Sequence, residues 1–482
     1  MTHCKTVFFC LFVTIITSVS FAASTDPCSV EGVCLSNIMK DAAYLFASVD
    51  SGRDSIAAAD LNGKGTLADA IASGNASVQK NWSRTYTDSG NVRSRGPNRT
   101  MDASVTGELR LGLSYISDYI GAQIGVDTQK SAQRALQMQL ATEAVTSYLT
   151  YSSDDYKLLY YIKFLNKLKA IKATVGDGTN GTVTLKPTQL GLLNDDIVDA
   201  KTQIKNFLAE RKNQAADLKK FIGKEKLSRF AKIMEVKART RVQEELDEQK
   251  NPLDLEAIYK LFPVPKTAAE VIAKSDNNPG VQQAYLAIKT AQNGRFSVIA
   301  GYLPYFAVGV TKSLSTSYST TTAADNYDAR GTTAYASVNW TIGAGFPLRL
   351  KASGLLIRAN QKSLKATKLN LTQVIEQDYS GLANLSEQFP DQIEGLGETV
   401  KIFMNIVPQA DPADPTHDAS DDVDNVDRLY RDCGGLVTGI SNEIIQLVGF
   451  RMDVHTAMGD LLGQIDVLKK LEADPDLFSR LP

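Results

Sequence analysis

The chain has 482 residues, with 52 Lys and Arg against 54 Asp and Glu, a formal net charge of −2 and 43% hydrophobic residues. A charge so near zero offers no basic face, which argues against nucleic acid as a partner. Three histidines and five cysteines leave little material for the usual metal-ligand patterns.

The first residues read as a leader. Lys5 supplies a positive n-region, 7–16 is a short apolar run, and Ser20-Phe21-Ala22 has the small-x-small form of a cleavage site. Residues 1–22 are therefore expected to be removed as a signal peptide, leaving about 460 residues that cross a membrane by export. The run is too short to span a bilayer, and no later stretch reaches about 18 uninterrupted apolar residues. Cys28 and Cys34 follow; after export they either close a small disulfide loop or remain two thiols. Cys28 comes after Asp26-Pro27, a poor context for lipid attachment.

Four strands are expected, in two pairs. The clearest covers 101–113, where Met101, Ala103, Val105, Leu109, Leu111 and Leu113 alternate with Asp102, Ser104, Thr106, Glu108 and Arg110. A strand at 334–343 alternates Ala336, Val338, Trp340 and Ile342 with Tyr335, Ser337, Asn339 and Thr341. Shorter partners fall at 78–87 and 305–314, joined to them by polar loops at 88–100 and 315–333. Trp82, Trp340, Tyr86, Tyr302, Tyr305 and Tyr335 suit an aromatic girdle at a membrane surface, or ordinary core packing.

Each strand pair opens into a long helical pattern of about 60 residues, or about 90 Å at 1.5 Å per residue. That is about three times a bilayer's hydrocarbon thickness, so these helices project into water. Turns end them at 174–187, with Gly176, Asp177, Gly178 and Gly181, and at 408–422, with Pro408, Pro412 and Pro415 among aspartates. Helix then resumes, and is expected to run past Gly223 and Gly463.

These resumed helices carry an internal repeat at an offset of about 240 residues. Leu190, Leu193, Ile197, Ala200, Ile204, Phe207, Gln214, Leu218 and Phe221 map onto Tyr430, Cys433, Val437, Ile440, Ile444, Leu447, Val454, Met458 and Leu461. Steps alternate between three and four, the seam of a helix packed beside others. Arg211 and Arg451 interrupt both seams at the same place. Each either fixes helix register by an ion pair or hydrogen bond, or lies along the seam's edge with its head in water. The halves are 23–250 and 278–482, with a connecting region at 251–277.

Strands in lipid must close on themselves, and four cannot, since single-chain barrels begin at about eight. Three copies give twelve strands, enough to hold an aqueous lumen. The fold class expected is mainly α with a small β part: duplicated strand–helix–turn–helix halves that assemble as a trimer. A different class of reading is an exported trimeric coiled-coil stalk, structural or adhesive, with no lumen.

Asn278-Pro279-Gly280-Val281-Gln282-Gln283-Ala284, then Ile288, Ala291 and Ala300-Gly301-Tyr302-Leu303-Pro304 resemble the second-repeat signature of TolC-like outer-membrane efflux proteins. The order of elements, twice over, resembles that family across essentially the whole mature chain. The resemblance implies a homotrimer with a 12-stranded outer-membrane β-barrel continued by a periplasmic α-helical barrel. It implies a passive duct for efflux or type I secretion, with a periplasmic adaptor protein and an inner-membrane transporter as partners at the helical tips. The first half departs from the pattern, carrying Asn75-Ala76 and Gln79-Lys80 near where Asn-Pro and Leu-Pro would stand. The turn after the fourth strand is Gly345-Phe346-Pro347-Leu348, and the second tip is longer and more acidic.

That tip holds Asp411, Asp414, Asp418, Asp421, Asp422 and Asp424. Triplicated around an axis they form a ring that favours cations, or they are a solvated acidic loop. A calcium loop lacks the regular acidic spacing and central glycine. No nucleophile elbow, phosphate loop or metal spacing is found, so neither catalysis nor a cofactor is expected.

Overall fold

The structure is a computed structural model that describes residues 35–89, 92–175, 187–248, 262–319, 327–340, 343–406 and 419–464. The leader, Cys28 and Cys34 lie outside these residues. Helix α1 (Leu35–Tyr44) is followed by α2 (Ala47–Ile71), β1 (Ala72–Ser89) and β2 (Val92–Leu111). Helices α3 (Leu113–Val175) and α4 (Pro187–Glu248) complete the first half. The connecting region holds α5 (Ala268–Lys274) and a 3-10 turn (Ser275–Asn277), and the second half has α6 (Pro279–Gly301), β3 (Tyr305–Ser319), β4 (Tyr327–Asn339), α7 (Phe346–Asn405) and α8 (Ala419–Met458).

The long helices match the expected lengths: α3 has 63 residues and α7 has 60, about 90–95 Å each. The four strands form one antiparallel sheet in the order β1-β2-β3-β4. Both hairpins are longer than expected. The loop assigned to 88–100 is mostly strand, and the loop at 315–333 shrinks as β3 runs to Ser319 and β4 begins at Tyr327. At the other end β4 stops at Asn339, short of 343.

The main core lies where α3, α4, α7 and α8 pack together. Its centre is a set of rings: Phe164 stands 5.3 Å from Phe403 and Tyr161 stands 5.2 Å from Phe207 and 6.2 Å from Tyr430, mostly edge-on, the arrangement that aromatic quadrupoles favour. All nine seam positions of the second copy are buried; in the first copy six are, with Leu190, Ile204 and Gln214 half-buried. The two copies end differently. Helix α4 runs through Gly223, whereas α8 stops at Met458 and helix resumes at 461–464, the last described residues. The stop is Gly459, whose φ of 72° an L side chain rarely adopts.

Helix α1 buries Leu35, Ile38, Met39, Ala42 and Ala43 at helical spacing. Helix α2 contains three glycines, and Gly63 lets it approach α3 so closely that a Cβ there would meet Ala122 at 3.2 Å.

Candidate functional site

The sheet sorts its residues by face. Paired positions share a face, so the register places Val78, Ala103 and Leu314 together, as it does Ala72, Leu109, Val308 and Ala336. On this outward face Val105, Leu109, Phe306, Val308, Val310 and Val338 are all more than half exposed. Met101 to Leu111 covers ten steps along β2, about 33 Å. At the tilt of about 40° usual in barrels this is a band about 25 Å tall.

The opposite face is polar and shielded. Ser77 and Ser104 share a hydrogen bond of 2.8 Å, and Thr106 and Thr311 one of 3.0 Å. Ser315 donates to Asp102, and Arg110 pairs with Glu108 at 2.7 Å. Ala307 and Gly309 are buried. The Tyr335 ring lies over Gly309, where a Cβ would come within 2.6 Å of it. Tyr335 therefore belongs to the inner wall and not to an outer girdle.

At the end of the sheet next to the helices, aromatics collect. Trp340 is 64% exposed and its Nε1 donates to the Tyr302 carbonyl at 2.9 Å. Tyr302 packs on Phe346 at 4.6 Å, and Tyr115 meets Tyr305 edge-on at 6.4 Å. Gly112 is needed at this corner, since a Cβ would sit 2.8 Å from that of Tyr305. Trp82 and Tyr86 occupy outward register positions near the far end of β1.

The Asn278-Pro279 motif has a structural task. Asn278 Oδ1 accepts from the backbone of Gly280 and Val281, capping α6, while Pro279 fills the first helical position. Its Nδ2 donates to the Thr456 carbonyl at 3.0 Å, joining α6 to the end of α8. Arg134 closes the same knot by donating to the Gly459 carbonyl.

The seam arginines each have partners. Arg211 on α4 reaches Asp155 on α3 at 2.6 Å and the Tyr151 hydroxyl at 3.1 Å. Arg451 on α8 is buried and donates to the Phe262 carbonyl at 2.8 Å.

At the tips, Gly176, Asp177, Gly178, Gly181, Asp411, Asp414 and Asp418 lie outside the described residues. The second turn is shorter than 408–422, because α8 begins at Ala419. Asp421, Asp422 and Asp424 thus stand in its first turns, where acids favour the positive end of the helix dipole; Asp424 is exposed. A buried polar group just behind the tips was not among the expected sites. Tyr430 on α8 donates to Asp199 Oδ2 on α4 at 2.8 Å. Arg431 pairs with Asp427 at 2.8 Å. Burial raises the Asp196 carboxyl to about 7, and the adjacent Asp427 carboxyl adds to the rise. The signal was present in the seam, since Asp196 falls three residues after Leu193 and four before Ala200. Further along the bundle, burial also raises Asp154 and Asp378, each to about 6.

Among the described residues no helix is long and apolar enough to cross a membrane, and no cluster of His, Cys, Asp or Glu is placed to hold a metal. No protein-family model matches the sequence, and no curated protein matches it. Solved structures match in fold. CusC, described for its folding and transmembrane channel formation, is 12% identical with a TM-score of 0.63, over 88% of this chain and 91% of that one. The Campylobacter jejuni CmeC outer membrane channel is 10% identical with a TM-score of 0.60, over 91% and 89%. The Neisseria gonorrhoeae MtrE outer membrane channel, in its open state, is 13% identical with a TM-score of 0.58, over 88% and 88%. The chain has the fold of these outer-membrane channels, the TolC-like fold to which residues 278–304 point.

Proposed function

We propose that three copies of this chain form an outer-membrane exit duct from periplasm to exterior. One observation carries the proposal: a four-stranded sheet with an exposed apolar face, a shielded polar face, and β1 and β4 at its edges, unpaired on their outer sides among the described residues. Backbone groups at an edge cannot stay unpaired in hydrocarbon. Pairing β4 of each copy with β1 of the next satisfies them and gives twelve strands around a lumen. Exposed apolar residues along α7, among them Leu348, Leu355, Leu356 and Leu369, supply helix contacts between copies in the periplasm. A soluble stalk has no use for the exposed sheet face.

The wall is nearly neutral. Asp102, Glu108 and Arg110 are the charged residues at inward register positions of the described strands, and two of them pair with each other. Such a lining fits a permissive conduit driven from elsewhere, with a periplasmic adaptor and an inner-membrane transporter meeting the tips at 174–187 and 408–422. Selectivity then falls to the tip aspartates. The leader delivers the chain and leaves Cys28 and Cys34 near the mature N-terminus, where they either close a small disulfide loop or remain two thiols. Arg211 and Arg451 hold helix register.

Membrane fractionation tests the duct: heat-modifiable oligomers extracted from the outer membrane by detergent are expected. A fully soluble periplasmic trimer would refute it. In planar bilayers, Asp-to-Asn replacement at Asp411, Asp414, Asp418, Asp421, Asp422 and Asp424 is expected to reduce cation preference.

A further inference from the structure

The β1–β2 hairpin is paired well beyond the apolar band. The described part of β3 reaches Ser319, opposite Asn98, and β1 and β2 are paired further, from Arg84↔Pro97 to Ser89↔Val92. These six further pairs extend about 20 Å on the side away from the helices. The register shows no bulge, so the alternation that sets the apolar band carries on.

Along this extension charge is sorted by face. Lys80, Arg84, Arg93, Arg95 and Arg99 all occupy outward positions, with Trp82 and Tyr86 on the same face. At the inward positions of the same levels stand Asn81, Ser83, Thr85, Ser94, Asn98 and Thr100, none of them charged. Lys312 and Arg330, both exposed, add two more basic residues outward on β3 and β4. Only Asp88 and Asp328 oppose them on that face. A hairpin standing free in water is wet on both sides and has no reason to confine its arginines to one. The sorted face is continuous with the apolar band: on β1 it begins at Lys80, opposite Met101 at the band's end, while Lys312, opposite Val105, lies within the band. Aromatic residues among the basic ones are the usual composition of a membrane interface.

We propose that this belt binds the phosphate-bearing headgroups of the lipid leaflet that surrounds the far end of the barrel. Guanidinium forks match phosphate oxygens two at a time, and near a hydrocarbon surface each pairing is weakly screened. The hairpin length then has a purpose, since it carries the basic positions through the headgroup layer while the neutral inward positions leave the mouth of the lumen without fixed charge. The proposal rests on the reading of the sheet as a lipid-facing barrel wall.

The test uses the full chain, purified as its oligomer and reconstituted into phosphatidylcholine vesicles with or without a diphosphorylated glucosamine lipid. Retention of that lipid after detergent re-extraction is measured as phosphorus per protein. Selective retention is expected, falling at least tenfold when Arg84, Arg93, Arg95 and Arg99 are replaced together by Gln, since each basic residue near a surface contributes about fivefold before screening. Should that variant fail to fold, the wild-type chain is challenged with the same lipid stripped of its phosphates, for which retention is expected to vanish. Equal retention of the stripped lipid, or undiminished retention by a folded variant, overturns the proposal. Insertion into both vesicle types with no lipid preference also overturns it while leaving the barrel intact. Failure to insert into either removes the barrel reading itself.

Discussion

Val308 is the sharpest probe of which way the sheet faces. It lies on the outward face, 55% exposed, between Leu109 and Ala336, with Phe306 below it and Val310 above. A charged side chain on the lipid face near mid-membrane costs about 2–4 kcal/mol, so Val308→Arg in three copies costs about 6–12 kcal/mol per barrel. The control is Ser313→Arg on the same strand but on the inward parity, where the added guanidinium meets an aqueous lumen. A surface change of that kind stays within about 1 kcal/mol per copy. Both variants are folded into phosphatidylcholine vesicles and unfolded in urea, with the heat-modifiable gel shift as the readout. The outward substitution is expected to lower the midpoint sharply or abolish insertion, and the inward one to leave it near wild type. Equal midpoints, or a larger loss for Ser313→Arg, would refute the assignment of faces.

Four further outcomes follow from the helices. Asp196 has a carboxyl raised from the ordinary range near 4 to about 7, so the folded state holds its proton more tightly than the unfolded chain. The α4–α8 contact is thus firmest below about pH 4 and weakens as pH rises to about 7; hydrogen exchange at the tip-proximal ends of both helices should accelerate over that window and lose the dependence in Asp196→Asn. Arg211→Ala leaves Asp155 buried with its cation removed and should cost about 3 kcal/mol, partly recovered when Asp155→Asn is added, as read by thermal melting. Gly459→Ala forces a Cβ to within 2.2 Å of the Asn277 carbonyl oxygen at a φ of 72°, so a loss well above the ~1 kcal/mol of the left-handed conformation alone is expected. Gly435→Ala, inside α8 with nothing within 4 Å, should instead stabilise by about 0.5–1 kcal/mol.

Much of this architecture could be read in the chain because its periods are long and regular. The three-four steps on α4 and α8 mark the buried seam, and the strict alternation of Met101 to Leu111 marks the exposed apolar face. What escaped is where alternation persists without an apolar partner. From Lys80 outward, β1 alternates charged or aromatic residues with small neutral ones, a pattern that resembles a loop when only hydrophobicity is followed. Gly96-Pro97 reads as a turn for the same reason. Pro97 pairs with Arg84 on β1 and lies beyond the last described β2–β3 pair, Asn98↔Ser319; prolines in sheets keep to such margins, where a missing N–H breaks few ladder bonds. Helix α2 is weakly signalled because Gly52, Gly63 and Gly65 dilute its pattern, although Gly63 is what brings α2 close to α3. The polar cluster behind the tips leaves no trace in the apolar pattern, because Asp196 is a charged residue placed beside the seam between Leu193 and Ala200.

The two halves also explain where the repeat fails. In the second half an Asn-Pro pair caps α6 and ties it to Thr456, while α8 ends at Gly459 against the backbone of Asn277 and Asn278. The early stop of α8 and the Asn-Pro motif are two sides of one contact, which brings the chain's last long helix back to the start of its second half. The corresponding helix of the first half has no such stop; α4 passes through Gly223 and continues to Glu248 toward the connecting region. A first-half Asn-Pro would have nothing to clasp, and the Asn75 found nearby pairs with Thr106 inside the sheet. The missing motif is therefore a consequence of how the two copies are joined. A single chain joins its two halves with one such clasp, and in the proposed barrel the sheet edges, β1 and β4, are left for the neighbouring copies.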